Sequence, residues 1–288
     1  MQKLTEAWIL LACLGLVLGC ANSPEMDFFP MSRVDSDLFR QSQYYYVQGD
    51  HERALETITL AIKREPERAE LWNGRGYIKM KGNDVEAAIE DFSKALELDA
   101  GSVQYRHNLG MAYLEGRRLS DGLEVLTQVI EMAPESDLAL NHRGLVYSRL
   151  GAYSKAISDF TSAIALNPSF GQYYLNRAVS YVKSGSEVLA KEDLNRAVEL
   201  DDSLKEAYES RALIELDDGE FSSAIRDFSK AIALGENHGL VYYNRAVAFS
   251  MTGDLSAAGD DYHQACKRGI TQACGEVVRS TSWSRDFM

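Results

Sequence analysis

The sequence predicts an all-α chain built as a stack of about seven helix-turn-helix repeats, and three recurrences along its 288 residues predict it. A small residue returns at an unbroken interval of 34 at Ala54, Ala88, Gly122, Ala156, Ala190, Ala224 and Ala258. Four residues after each stands a bulky apolar side chain: Ile58, Phe92, Leu126, Phe160, Leu194, Phe228 and Tyr262. Three beyond that a small one comes back: Ala61, Ala95, Val129, Ala163, Ala197, Ala231 and Ala265. Small, large, small at i, i+4 and i+7 lies along one helix face and suits close packing. A fixed period of this length marks stacked supersecondary units.

In register, the repeats begin at residues 35, 69, 103, 137, 171, 205 and 239, with no insertion between them. Each first helix opens near an aromatic or apolar residue (Leu38, Trp72, Leu140, Tyr174, Tyr208, Tyr242). Four positions on, six repeats place Gly or Ala (Gly76, Gly110, Gly144, Ala178, Ala212, Ala246), where a larger side chain holds two helices apart. Gly49, Gly82, Gly116, Gly151, Gly185, Gly219 and Gly253 are expected to make the turn into the second helix. Pro66, Pro134 and Pro168 block continuation of the second helix, while Ala100, Asp202 and Glu236 predict softer stops.

The stretches WNGRGYIKMKGNDVEAAIEDFSKALELDA and NHRGLVYSRLGAYSKAISDFTSAIALNP resemble the tetratricopeptide repeat family. The likeness runs from residue 35 to about 268; the first repeat departs from it at Gln41 and Ser42. It implies antiparallel helix pairs in a right-handed α-solenoid whose concave face is lined by the first helices. Each repeat buries its apolar face only against neighbours, so the array is stable collectively and its ends need caps.

Thirty Lys and Arg against 43 Asp and Glu give a net charge of −13. That balance disfavours nucleic acid and anionic lipid surfaces and favours basic peptides. At the amino terminus, an apolar stretch from Ala7 to Leu18 is too short to span a bilayer and fits a secretory signal. Val17-Leu18-Gly19-Cys20 resembles the bacterial lipobox, which implies lipidation of Cys20; Ala21 after it implies sorting to the outer membrane, facing the periplasm. An ordinary signal peptide, an uncleaved anchor and a weaker box at Leu10-Leu11-Ala12-Cys13 are the alternatives, which correspond to soluble periplasmic or inner-membrane settings. The expected organisation is a signal over residues 1–19, a lipidated tether over 20–34, the array over 35–270 and a cap or tail over 271–288.

Cys266 and Cys274 remain as the thiols of the mature chain. Eight residues across a Gly-containing turn bring two side chains together on adjacent antiparallel helices, and the spacing resembles bridged pairs in helical repeats of secreted bacterial proteins. A disulfide is therefore expected; a pair of small buried hydrophobes is the alternative. A metal site is not, because only His263 lies nearby.

Five repeats place Arg at the seventh position and Asp at the twenty-third: Arg75 with Asp91, Arg143 with Asp159, Arg177 with Asp193, Arg211 with Asp227, and Arg245 with Asp261. The other two lack both, carrying Gln41 with Thr57 and Leu109 with Val125. Joint loss points to ion pairs inside each repeat, a guanidinium fork on a carboxylate. The competing reading is a basic ladder for anionic ligands.

Family geometry assigns the groove mainly to the second, fifth, ninth, twelfth and thirteenth positions. The groove candidates are Tyr77, Met80, Asn108, Met111, Leu145, Asn176, Val179, Leu213, Tyr243 and Asn244, part of which doubles as inter-repeat core. An apolar strip with polar edges suits an extended or helical segment with hydrophobic anchors. A carboxylate clamp is not expected, since no repeat has Lys at the second or fifth position. No catalytic constellation, cofactor motif or metal-ligand motif stands out, and the five histidines are scattered over different positions.

The resemblance therefore implies a lipid-anchored, non-enzymatic scaffold in the bacterial envelope. Its partner is expected to be an envelope protein or peptide, in the manner of adaptors for peptidoglycan enzymes. The alternative is an assembly factor for a pilus or secretin-type system. Self-association into a homo-oligomer is open.

Overall fold

The computed structural model describes residues 37–276; the expected signal, Cys20, the tether and the tail beyond 276 lie outside them. Fourteen helices follow one another among the described residues, and no strand occurs there. They are α1 (Asp37–Val47), α2 (His51–Arg64), α3 (Ala69–Lys81), α4 (Val85–Leu98), α5 (Val103–Glu115), α6 (Leu119–Met132), α7 (Asp137–Arg149) and α8 (Tyr153–Leu166). Then come α9 (Gly171–Lys183), α10 (Glu187–Leu200), α11 (Lys205–Asp217), α12 (Phe221–Ala233), α13 (Gly239–Thr252) and α14 (Leu255–Lys267). Residues 271–276 are also helical. The chain divides between Leu166 and Asn167 into two compact units, carrying four and three helical pairs.

Within each unit, the two helices of a repeat pack on one another, and each second helix packs on the next first helix. The small-large-small face forms the seam. Ala54, Ala88, Ala156, Ala190 and Ala224 are fully buried, and so are Ile58, Phe92, Leu126, Phe160, Leu194 and Phe228. The small eighth position exists for these large side chains: a Cβ added at Gly144 meets the Phe160 ring at 2.7 Å, and one at Gly110 meets Leu126 at 2.8 Å. In the first repeat Ser42 occupies this place, and its hydroxyl donates to the Ala54 carbonyl at 2.8 Å.

The turns correct one expectation. Left-handed backbone falls at the fifteenth position of every repeat, supplied by Gly49, Gly151, Gly185, Gly219 and Gly253 but by Asn83 (φ 65°) and Arg117 (φ 57°) in the second and third. Gly82 and Gly116 stand one residue early, with φ of −80° and −71°. The local hydrogen bonding is the same throughout: the next N–H reaches back five residues, as in Asp84 to Lys79 and Arg118 to Tyr113, both at 2.8–2.9 Å. This closure demands a positive φ at one place. Where glycine is missing, Asn and Arg accept the strained conformation.

The softer stops are not softer. α4 ends at Leu98 and α10 at Leu200, the same repeat position as Arg64 and Met132 before Pro66 and Pro134. Non-helical backbone at the caps Asp99 and Asp201 stops these helices without proline. The last two repeats end one residue sooner, because Gly235 (φ 96°) and Gly269 (φ 91°) close a left-handed turn there.

Candidate functional site

The five Arg–Asp pairs are joined as bidentate forks, each Nε and Nη2 donating to the two oxygens of the carboxylate sixteen residues later. The distances run from 2.5 to 3.0 Å: Arg75 on Asp91, Arg143 on Asp159, Arg177 on Asp193, Arg211 on Asp227 and Arg245 on Asp261. The aspartates are buried, so the guanidinium charge is spent inside the repeat rather than offered as a basic ladder. Two arginines do more than the spacing revealed. Arg211 Nη1 donates to Asn195 Oδ1 and Arg245 Nη1 to Ser229 Oγ, both at 2.9 Å. These contacts reach back to the second helix of the preceding repeat, so one side chain ties three helices together. In the second repeat Lys79 adds a further cation 2.7 Å from Asp91.

The sixth repeat inverts that arrangement. Glu215 occupies the position of Lys79, buried with Oε2 lacking a hydrogen-bond partner. Burial, reinforced by Asp227 and opposed by Arg211 and Lys191, raises its pKa to about 7.

The groove candidates separate into two groups. Tyr77, Asn108, Leu145, Val179, Leu213 and Asn244 are buried and take part in the packing between helices. Ninth-position side chains close onto the tenth position of the next first helix: Tyr77 shares a cluster with Ala112, Val179 with Ile214, and Leu213 with Ala248. Met80, Met111, Asn176 and Tyr243 keep partial exposure. In the second unit a narrow crevice opens between Val179, Val182, Leu213 and Ile214, with Glu187 and Asp217 beside it.

Buried polar groups run through this face in the first unit. Asn108 Nδ2 donates to Asn73 Oδ1 at 2.8 Å, and His107 Nε2 lies 2.8 Å from His142 Nδ1. Both links join the fifth position of one repeat to the sixth of the next. Burial holds the pair uncharged, lowering His107 to about 4 and His142 well below the ordinary imidazole value, so one ring donates and the other accepts. The sequence showed these residue types but not that a register offset of one brings them together.

Cys266 and Cys274 form a disulfide, with sulfurs 2.05 Å and α-carbons 4.9 Å apart. It ties the end of α14 to residues 271–276, whose Ala273 is fully buried against Ala246, Ala258, Tyr262 and Ala265. No described helix is long and apolar enough to cross a membrane.

Residues 39–103, 138–170, 171–203 and 210–273 match the tetratricopeptide repeat. The stretch between 103 and 138 is the repeat in which Leu109 and Val125 replace the ion pair. No curated protein matches the chain. Among solved structures, a tetratricopeptide repeat protein from Parabacteroides merdae is similar at 21% identity and a TM-score of 0.64, over 85% of this chain and 97% of that one. YrrB, described as a tetratricopeptide protein with an unusual peptide-binding site, aligns at 21% identity and 0.53, over 65% of this chain and 97% of its own. The Cut9–Hcn1 hetero-tetramer of APC/C aligns at 15% identity and 0.69, over 83% of this chain and 48% of that one. These likenesses concern the fold, a series of paired helices. Period, helix pairing and repeat matches together place the chain in the tetratricopeptide repeat family.

Proposed function

We propose that this chain is a lipid-anchored scaffold of the bacterial envelope, holding an envelope protein or peptide on the surface of its first helices. The observation that carries the interaction role is the array itself: seven helical pairs spend their large side chains on internal packing, and five of them spend an arginine there too. What they leave partly exposed on first helices is Met80 and Met111 in the first unit, and Asn176 and Tyr243 in the second. Methionines at such positions re-pack readily around different apolar anchors. Net acidity and the Glu187 and Asp217 carboxylates beside the second unit's crevice favour a ligand with apolar anchors and flanking basic residues.

Two features support the envelope setting. Val17-Leu18-Gly19-Cys20 has the form of a lipidation site, and the Cys266–Cys274 bridge is of the kind that persists in oxidising compartments. The test is a photo-crosslinking amino acid at Met80 or Met111 in the full chain, in envelope-intact cells. A defined envelope protein should be captured, and the capture should vanish when the crosslinker is moved to the outward residue Leu60. Equal capture at all three positions, or none at the first two, would refute the assignment of this face.

A further inference from the structure

Glu209 stands at the fifth repeat position on α11 with its side chain fully enclosed; Oε1 faces His238 Nε2, and Oε2 has no hydrogen-bond partner. In the first unit the same position carries neutral groups, Asn73 and His107, each joined to a neutral partner. A charge in that place, sealed from water and with one oxygen unpartnered, is unfavourable unless more positive charge is brought to it. Two side chains from the segment between α12 and α13 converge on it. His238 Nε2 lies 2.9 Å from Glu209 Oε1 and 3.7 Å from Glu236 Oε1. One ligand atom from each of the three lies within 4.8 Å of the others.

Lys205 Nζ sits 3.3 Å from Glu236 Oε2 and leaves Glu236 Oε1 turned to His238, while Arg268 Nε donates to the Asn237 carbonyl at 2.9 Å. Separations of 2.9 and 3.7 Å bracket the roughly 3.4 Å between neighbouring ligands on a tetrahedral ion with bonds of about 2.0 to 2.2 Å. One imidazole with two carboxylates is a donor set for a borderline divalent metal. We propose that Glu209, Glu236 and His238 bind a divalent transition-metal ion of the zinc class, clamping α11 to the entry of α13.

Two local features oppose the ion and set its affinity class. His238 Nδ1 caps α13 by accepting the Val241 N–H at 3.3 Å; binding through Nε2 puts the ring proton on Nδ1 and releases that long bond. The positive end of α13 also faces the site. Affinity therefore belongs in the micromolar range, far weaker than a structural zinc of four thiolate and imidazole ligands.

Titration of the chelator-treated full chain with ZnCl2, followed by calorimetry, tests the site. One ion per chain should be taken up, with the melting temperature raised by several degrees. Co2+ should give visible absorption bands from a mixed nitrogen and oxygen site. Glu236→Gln and His238→Ala should each weaken uptake at least tenfold, read directly from the isotherm and so independent of any change in the metal-free melting point. Glu209→Gln should do the same; if that variant fails to fold, the other two decide. No saturable uptake at about 1 mM Zn2+ would overturn the proposal. So would uptake unchanged in both Glu236→Gln and His238→Ala, which would put the ion elsewhere, for example in the acidic cleft of Glu65, Glu67, Glu70 and Asp99.

Discussion

Leu109 and Val125 fill, in the third repeat, the places where five other repeats set Arg against Asp. The chain thus carries its own comparison between an ion pair and an apolar pair in the same seam. A buried bidentate pair stabilises little in net terms, because desolvation offsets the attraction, whereas breaking it leaves a charge stranded. Asp159→Val alone should therefore cost about 3 kcal/mol. Arg143→Leu combined with Asp159→Val should cost clearly less; denaturant unfolding of single and double variants gives the comparison. Equal or additive losses would mean that the fork itself stabilises the repeat. At the turns, Arg117 holds φ 57° where five repeats have glycine. Arg117→Gly should raise stability by about 0.5 to 1 kcal/mol, since relief of the left-handed strain outweighs the added freedom of the unfolded chain. A lower melting point would show that the Arg side chain contributes more than its backbone costs.

At the scale of the helical pair, the last described element, residues 271–276, is tied to α14 by a covalent bond. Cys266→Ser with Cys274→Ser should cost about 2 to 3 kcal/mol, the lower part of the disulfide range for so short a loop. Limited proteolysis should then cut after Lys267 or Arg268 before it cuts elsewhere. Uniform loss of protection along the chain would contradict a local role. The helical pairs were legible in the sequence because one physical requirement, a small residue opposite a large one, repeats at Gly144 and Phe160 as at Gly76 and Phe92. The groove was less legible. Val179 and Leu213 are apolar whether they line a groove or seal two helices, and only packing against Ile214 and Ala248 distinguishes the two. Glu209 with His238 was hidden for a different reason. Residues 29 apart in sequence meet only because a helix start turns back over the preceding repeat, and no motif spacing announces it.

For the whole molecule, buried groups in the two units couple stability to pH in opposite senses. His107 and His142 are held neutral in the first unit, His107 with a pKa of about 4. The unfolded chain therefore binds protons there first, and that unit loses stability as pH falls from about 6.5 towards 4. Glu215 in the second unit is raised to about 7. The folded chain keeps its proton longer than the unfolded one, so stability contributed there is full below about 4.5 and declines as pH rises to about 7. Glu215→Gln should accordingly stabilise the second unit at pH 8 by on the order of 1 to 3 kcal/mol and leave it nearly unchanged at pH 4. A pH-independent effect would rule out the titration as its origin. At the level of the cell, Cys20→Ser should abolish fatty-acid labelling and release a chain that still folds; labelling that persists would place the anchor elsewhere.

Within a stacked unit, an outer repeat has fewer neighbours and opens first. Among the described residues, the opening repeat of the first unit and the closing repeat of the second are unequal. The closing one is stitched covalently through Cys266 and Cys274, while the opening one has Gln41 and Thr57 in place of the ion pair and Ser42 in place of the small apolar residue. Fraying is therefore polarised. Amide hydrogens of α1 and α2 should exchange with solvent soonest and those of α13 and α14 late, and reduction should erase that asymmetry by loosening the stitched end.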